Sequence, residues 1–263
     1  MEIQLKNYDH IIINSSGGKD SIVSIFEICR LAQEQNYPKS KIVISHQDLG
    51  SAEWKGTADL VQKQADIFGL KTYYSKYRNK DGEELDLLEY VERRGAWPSN
   101  AARYCTSEFK RSPGARIVTQ LTKGETCSVL YVFGFRSEES SSRAKKEVLA
   151  LNKRLTTKKR KVYDFLPVHD WSVGKVWEVI KGNGLPYSKC YELGLPRHSC
   201  IFCIFAPFNA LVIAGKENPE LLQTYVDVEE RINHTFTQKF SLKDVQEAAQ
   251  GSEEVLEVSD WVM

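Results

Sequence analysis

The sequence predicts an α/β protein: a doubly wound, Rossmann-like parallel sheet followed by a C-terminal helical, cysteine-rich subdomain. Three observations predict it. Short β-branched runs alternate with helix-period segments, a glycine pair sits at the first strand-to-helix junction, and three of the six cysteines gather between residues 190 and 203. Alternating strands and helices imply βαβ crossovers and a sheet covered on both faces.

The elements follow in order. Ile11-Ile12-Ile13-Asn14 is an apolar run of the kind that forms a buried parallel strand. Ile22, Val23, Ile25, Phe26 and Ile28 then recur at helical spacing to about Leu31. A second unit repeats the pattern: strand Lys41 to Ser45, loop His46 to Ala52, helix Glu53 to Phe68. Further strands are expected at Lys71–Tyr74, Ser128–Phe133 and Val162–Val168. The run from Arg143 to Lys161 holds nine Lys or Arg against one acidic residue, Glu147, and reads as a mobile loop able to meet a polyanion such as DNA. Val173, Val176, Trp177 and Ile180 share one helix face, which Asn183-Gly184-Leu185-Pro186 ends. Phe205 to Phe240 reads as helical, and the tail from Ser241 as acidic and amphipathic. The expected division is a nucleotide-binding domain over 1–165 and a cysteine-rich subdomain over 166–263.

Composition bounds the function classes. The net charge is +1, so any attraction to nucleic acid must come from local patches. No apolar run reaches the roughly 18 residues needed to span a bilayer. Met1 to Lys6 lacks the basic-then-apolar layout of a signal peptide. A cytoplasmic protein is expected, where reduced cysteines serve metals or catalysis before disulfides.

The glycine turn carries the first functional reading. Gly17 and Gly18 allow positive φ and close approach of a ligand to the backbone. Because the turn opens a helix, N–H groups and the helix dipole face any anion held there. Ser16 and Ser21 add hydroxyls and Lys19 a charge. The run is neither a G-x-x-x-x-G-K-[ST] phosphate loop nor a G-x-G-x-x-G dinucleotide turn. Asp48 lies where a second strand ends, a position at which doubly wound sheets bind ligands, and its carboxylate suits Mg²⁺ or a ribose hydroxyl. Arg136 and Arg143 follow the Ser128–Phe133 strand and Gly134, placed to clamp phosphate.

Four cysteines suit a metal. Cys200-Ile201-Phe202-Cys203 is a C-x2-C pair, Cys190 precedes it by ten residues, and Cys105 is remote. Four thiolates fit tetrahedral Zn²⁺ or a [4Fe–4S] cluster, and spacing alone does not choose. Cys29 and Cys127 read as small buried hydrophobes.

Taken together the motifs resemble a known family. Ser16-Gly17-Gly18-Lys19-Asp20-Ser21 is similar to the SGGKDS motif of PP-loop ATP pyrophosphatases in the phosphoadenosine phosphosulfate reductase-like superfamily, which has the HUP-type fold. His46 to Glu53, Arg103-Tyr104-Cys105-Thr106 with Lys110 and Pro113, Gly134 to Ser140 with Arg143, and His169-Asp170-Trp171-Ser172 with Gly184-Leu185-Pro186 resemble its other elements. The resemblance spans residues 11 to about 215. It implies ATP with Mg²⁺ as ligand, Lys19, Asp20 and Arg136 as catalytic residues, and Ser16 to Ser21, Asp48, Gly134, Arg136 and Arg143 as the binding set. The stretch Cys190 to Cys203 resembles the iron–sulfur branch, which includes the DndC and SspD ATP pyrophosphatases of DNA phosphorothioation. That resemblance favours [4Fe–4S] over Zn²⁺ on Cys105, Cys190, Cys200 and Cys203. It implies DNA and a cysteine desulfurase, or other sulfur-modification proteins, as partners.

The sequence departs from the sulfonucleotide reductases in one respect. Those attack substrate sulfur with a cysteine in an E-C-G-L-H-like tail, whereas here no cysteine follows Cys203. The expectation is therefore adenylation of an acceptor by ATP with release of pyrophosphate. A reductase-like enzyme that binds the sulfonucleotide, and a non-catalytic nucleotide-binding scaffold for a desulfurase, are the alternatives.

Overall fold

A computed structural model of the chain describes residues 3–251 and 256–261. Met1 and Glu2, at the head of the N-terminal reading, and residues 252–255, 262 and 263, in the tail reading, lie outside the described residues.

The strands are β1 (His10–Asn14), β2 (Ile42–Asp48), β3 (Lys71–Arg78), β4 (Glu84–Leu85), β5 (Cys127–Val132), β6 (Leu149–Leu151) and β7 (Arg160–Phe165). Among the described residues they form a seven-stranded sheet in the order β4-β3-β2-β1-β5-β7-β6. Pairings β1–β2, β1–β5 and β5–β7 are parallel; β3–β4 and β6–β7 are antiparallel. The fold is thus the expected doubly wound α/β sheet, with an antiparallel strand added at each edge.

The helices are α1 (Lys19–Glu34), α2 (Thr57–Phe68), α3 (Leu87–Arg94), the short α4 (Tyr104–Thr106), α5 (Ser112–Leu121), the short α6 (Ser141–Ala144), α7 (Val173–Gly182), α8 (Phe208–Glu217), α9 (Pro219–Ile232) and α10 (Leu242–Gly251).

The chain divides into two compact units. The first comprises Met1–Gln47, Gly56–Ser75 and Pro113–Ser188; the second comprises Asp48–Lys55, Lys76–Ser112 and Lys189–Met263. In the first, Ile11, Ile12 and Ile13 have no exposed surface. A central parallel strand is covered on both faces, which is why the run is continuous rather than alternating. Each such side chain stabilises the fold by about 1.5–3 kcal/mol. Ile22, Ile25 and Ile28 of α1 join Ile11, Ile13, Ile44, Val176 and Ile180 in one core cluster. In the second unit, Trp97, Tyr225 and Phe236 pack with the apolar faces of α3, α8, α9 and α10.

Several boundaries differ from the sequence reading. His46 to Asp48 continue strand β2 rather than opening a loop. The helix expected from Glu53 starts at Thr57: Glu53 is extended, closing a 3₁₀ turn over Gly50–Ala52, and Gly56 has φ 83°. The third strand runs on to Arg78 because Tyr77 and Arg78 pair with Leu85 and Glu84. The basic run 143–161 is not a plain loop. It contains the end of α6, strand β6 and the first residues of β7. Leu155 is buried with Val118 and Val162, and the Asn152 amide donates to Asp164 Oδ1 at 2.9 Å. These few anchors fix a hairpin that the density of charge concealed, and lysines beside an edge strand deter edge-to-edge pairing.

Candidate functional site

The first unit builds the glycine turn. β1 lies between β2 and β5, so the chain leaves it at the point where the strand order switches direction. Ser15 follows the strand, and its N–H donates to Ser45 O at 3.0 Å, extending the ladder by one bond. Gly17 has φ 78°, the left-handed region that favours glycine. Gly18 instead is extended (φ −74°) and forms the N-cap of α1, where no side chain caps the helix. Only the first of the two glycines therefore supplies the positive φ expected of both.

Side chains hold the turn open. The Gly17 N–H donates to Ser15 Oγ at 3.2 Å, and the Ser16 N–H to Ser21 Oγ at 3.2 Å. Gln64 Nε2 donates to Gly17 O at 3.1 Å and to Pro186 O at 3.0 Å. His46 Nδ1 lies 2.9 Å from Ser15 O. Gln64 is a contribution that sequence reasoning missed. It lies 47 positions from Gly17 and belongs to the face of α2 that packs inward, so no local pattern announces it.

Charge at the head of α1 forms a chain. Lys19 Nζ lies 3.1 Å from Asp20 Oδ2, and Arg136 Nε donates to Asp20 Oδ1 at 2.6 Å. Arg136 is 3% exposed. Its Nη1 donates to Glu138 Oε2 at 2.9 Å and to Trp171 O at 3.3 Å, and its backbone N–H donates to Glu139 Oε2 at 2.7 Å. Burial opposes the guanidinium charge, but Asp20, Glu139 and Glu138 outweigh it and hold the group above its ordinary range. Arg143 pairs with Glu139 and lies over the Phe135 ring at 4.4 Å. Gly134 has a steric reason: a Cβ there would lie 2.5 Å from Asp20 O. The backbone after β5 thus presses against the first turn of α1, and Arg136 reaches across to Asp20.

Ser16 to Ser21, Gly134, Arg136 and Arg143 all belong to this unit. Asp48 belongs to the second. There its Oδ1 accepts from the Gly50 N–H at 2.7 Å, and its Oδ2 lies 3.2 Å from Lys76 Nζ.

The second unit gathers the cysteines. Cys190 and Cys203 are buried, Cys105 and Cys200 half-buried, all within or against one apolar cluster. The C-x2-C loop is pinned by its intervening residues: Ile201 and Phe202 are buried, the Ile201 N–H donates to Ala52 O at 2.9 Å, and Phe202 packs on Tyr225 with centroids 4.9 Å apart. Cys105 lies in α4, directly before a π turn over Ser107–Arg111 that carries Lys110. Such widened turns are frequent at functional sites. Cys190 Sγ lies 3.5 Å from His198 Nδ1.

Burial and one lysine set the electrostatics around these sulfurs. Burial pushes the Cys200 thiol up to about 12 and raises that of Cys203. Lys110 is held above its ordinary range, first by Cys200 and further by Cys105, Cys203 and Glu53. Backbone hydrogen bonds from Phe205 and Ala206 favour a charged sulfur at Cys203. Lys110 thus lies in the field of Cys105, Cys200 and Cys203, while Cys190 has His198 beside it.

Fold and turn together define the class: a doubly wound α/β protein with a glycine turn between its first strand and first helix. Residues 10–206 match the phosphoadenosine phosphosulfate reductase domain, and the chain belongs to that family. An uncharacterized protein of Methanocaldococcus jannaschii is 25% identical over 83% of this chain and 41% of its own length. The adenosine 5'-phosphosulfate reductase of Oceanobacillus iheyensis is 30% identical over 39% of this chain and 42% of its own length. The chain thus matches less than half the length of either relative. The crystal structure of phosphoadenylyl-sulfate reductase from Candida auris, a phosphate complex, shares the fold at TM-score 0.50 and 19% identity, covering 74% of this chain and 83% of that one. No helix among the described residues is long and apolar enough to cross a membrane.

Proposed function

We propose that the chain is an adenylating ATP pyrophosphatase of a DndC/SspD-type sulfur-modification system. The observation that carries the reading is the turn Ser16 to Ser21, braced by Gln64 and Gly134, on a chain that also brings four cysteines into one apolar cluster.

ATP binds with its β and γ phosphates on the N–H groups of the turn and on Lys19. An acceptor oxygen, in this reading of the DNA backbone, attacks the α-phosphorus. The bond from that phosphorus to the bridging oxygen breaks, and pyrophosphate leaves with the electron pair. Little covalent chemistry falls to the protein; it positions the reactants and offsets charge. Lys19 is the charge nearest the turn. Asp20 holds Lys19 on one oxygen and Arg136 on the other, so Arg136 orients the head of α1 and need not touch the phosphate itself. Mg²⁺ would supply further neutralisation of the phosphate charge. Cys105, Cys190, Cys200 and Cys203 would hold a [4Fe–4S] cluster, with Zn²⁺ as the alternative ion. A bound cluster supplies a redox-active iron centre for the sulfur chemistry. A cysteine desulfurase is the proposed sulfur donor.

The family match and the Oceanobacillus relative favour a second reading, a sulfonucleotide reductase. Two assays on the same preparation separate the two. The first reading predicts pyrophosphate from ATP with Mg²⁺ and no sulfite from adenylyl sulfate plus a thiol donor. Sulfite without pyrophosphate would reject it in favour of the second.

A further inference from the structure

We infer that His10, Glu125 and Cys127 form a second metal site, for a divalent transition ion of the zinc class, at the end of the sheet opposite the nucleotide turn. His10 Nε2, a Glu125 carboxylate oxygen and Cys127 Sγ all lie within 4.8 Å of one another. The site belongs to the first unit and does not rest on the function proposed above.

Strand register creates it. His10 opens β1 and pairs with Val129 of β5; Cys127 lies two residues before Val129 and therefore on the same face. The apolar cluster of Ile12, Cys127, Val129 and Tyr131 covers that face further along. Glu125 comes from the turn before β5, where its N–H donates to Thr122 O at 3.3 Å, and its Oε2 lies 2.8 Å from His10 Nε2. The nucleotide turn follows Asn14, at the other end of β1, about 13 Å along the strand.

The donor set is a nitrogen, an oxygen and a sulfur, a combination that suits Zn²⁺ rather than Mg²⁺ or Ca²⁺. Cys127 is 8% exposed, while the side chains of His10 and Glu125 are 26% and 53% exposed. The sulfur thus closes the inner side, and the outer side stays open for a water as fourth ligand. Burial, Glu125 and Asp9 raise the Cys127 thiol against a smaller opposing effect of Arg160. An entering ion displaces the thiol proton and turns the His10–Glu125 contact into two metal bonds. Asp9 is already committed, accepting from the Ser128 N–H at 2.8 Å. The ion would tie the start of β1 to the turn before β5, a structural or regulatory position away from the nucleotide.

Cobalt titration of the full chain, with its four-cysteine site as purified, tests this. The expected result is one more Co²⁺ per chain in the wild type than in Cys127→Ala, with a thiolate-to-cobalt charge-transfer band that the variant lacks. His10→Asn, on a half-exposed side chain that need not perturb folding, should weaken that binding at least about tenfold. Glu125→Gln should weaken it as well. Equal Co²⁺ stoichiometry and identical spectra in the wild type, His10→Asn and Glu125→Gln would overturn the inference, whether or not Cys127→Ala folds.

Discussion

Arg136 Nε lies 2.6 Å from Asp20 Oδ1, joining the segment after β5 to the first turn of α1. Asp20 shares its other oxygen with Lys19, so one carboxylate fixes both cations at the mouth of the glycine turn.

Breaking that link should cost more than removing it whole. Arg136→Met leaves Asp20 with Lys19 but removes the donor to the Trp171 carbonyl, and Asp20→Asn leaves a guanidinium with only 3% exposure short of one counter-ion. Each single change should destabilise the fold by about 3 kcal/mol, and the double variant should recover part of the loss. Urea unfolding of the two single variants and the double variant checks this; strictly additive losses would mean the pair is not coupled.

Gly134→Ala should act through contact rather than charge. The added Cβ meets Asp20 O at 2.5 Å, so the head of α1 or the strand must shift. The expected effects are a stability loss of about 1–3 kcal/mol and weaker nucleotide binding. Denaturation and calorimetric titration with ATP and Mg²⁺ measure both; unchanged binding would show that the turn tolerates the shift.

Alkaline pH should expose the burial of Cys29. Its thiol is 7% exposed and pushed up to about 11 from an ordinary 9. In the unfolded chain the thiol ionises near 9; in the folded chain it stays neutral to about 11. The stabilising contribution is therefore complete below pH 9 and is lost as pH rises from 9 through 11, by roughly 2–3 kcal/mol. The difference in unfolding free energy between the wild type and Cys29→Ala, followed over that range, should shrink accordingly. A difference independent of pH would contradict the assignment.

Metal on the cysteine cluster should protect it. Cys105, Cys190, Cys200 and Cys203 should resist alkylation in anaerobically purified protein and react after chelation and mild denaturation, with iron and sulfide released in step. Cys200→Ser and Cys203→Ser should lose the metal while the first unit keeps its fold. Zinc in place of iron would change the cofactor without moving the site, and full metal content in both variants would remove these residues as ligands.

Much of the first unit was legible in the sequence because its central strands are covered on both faces. A run such as Ile11-Ile12-Ile13 has few structural options, and Gly17 records its positive φ directly. Two kinds of feature stayed hidden. Contacts between distant positions, such as Gln64 on Gly17 and Arg136 on Asp20, leave no local period. Strand β6 sits in a run rich in Lys and Arg because a short edge strand needs only Leu149 and Leu155 as anchors and gains from charge around it. Asp48 shows the limit of reading by position: the carboxylate comes where a strand ends, as expected, but Gly50 and Lys76 hold it locally. The C-x2-C spacing was visible, whereas Lys110 entered only as part of a motif. Its place in the field of three thiols follows from the π turn over Ser107–Arg111.

The most direct test of the central claim is the product pattern from ATP and Mg²⁺. Bound phosphates on the Ser16 to Ser21 turn and attack at the α-phosphorus predict pyrophosphate with AMP or an adenylated acceptor, with turnover lost in Lys19→Ala while that variant stays folded. ADP with orthophosphate, or undiminished turnover in Lys19→Ala, would contradict it.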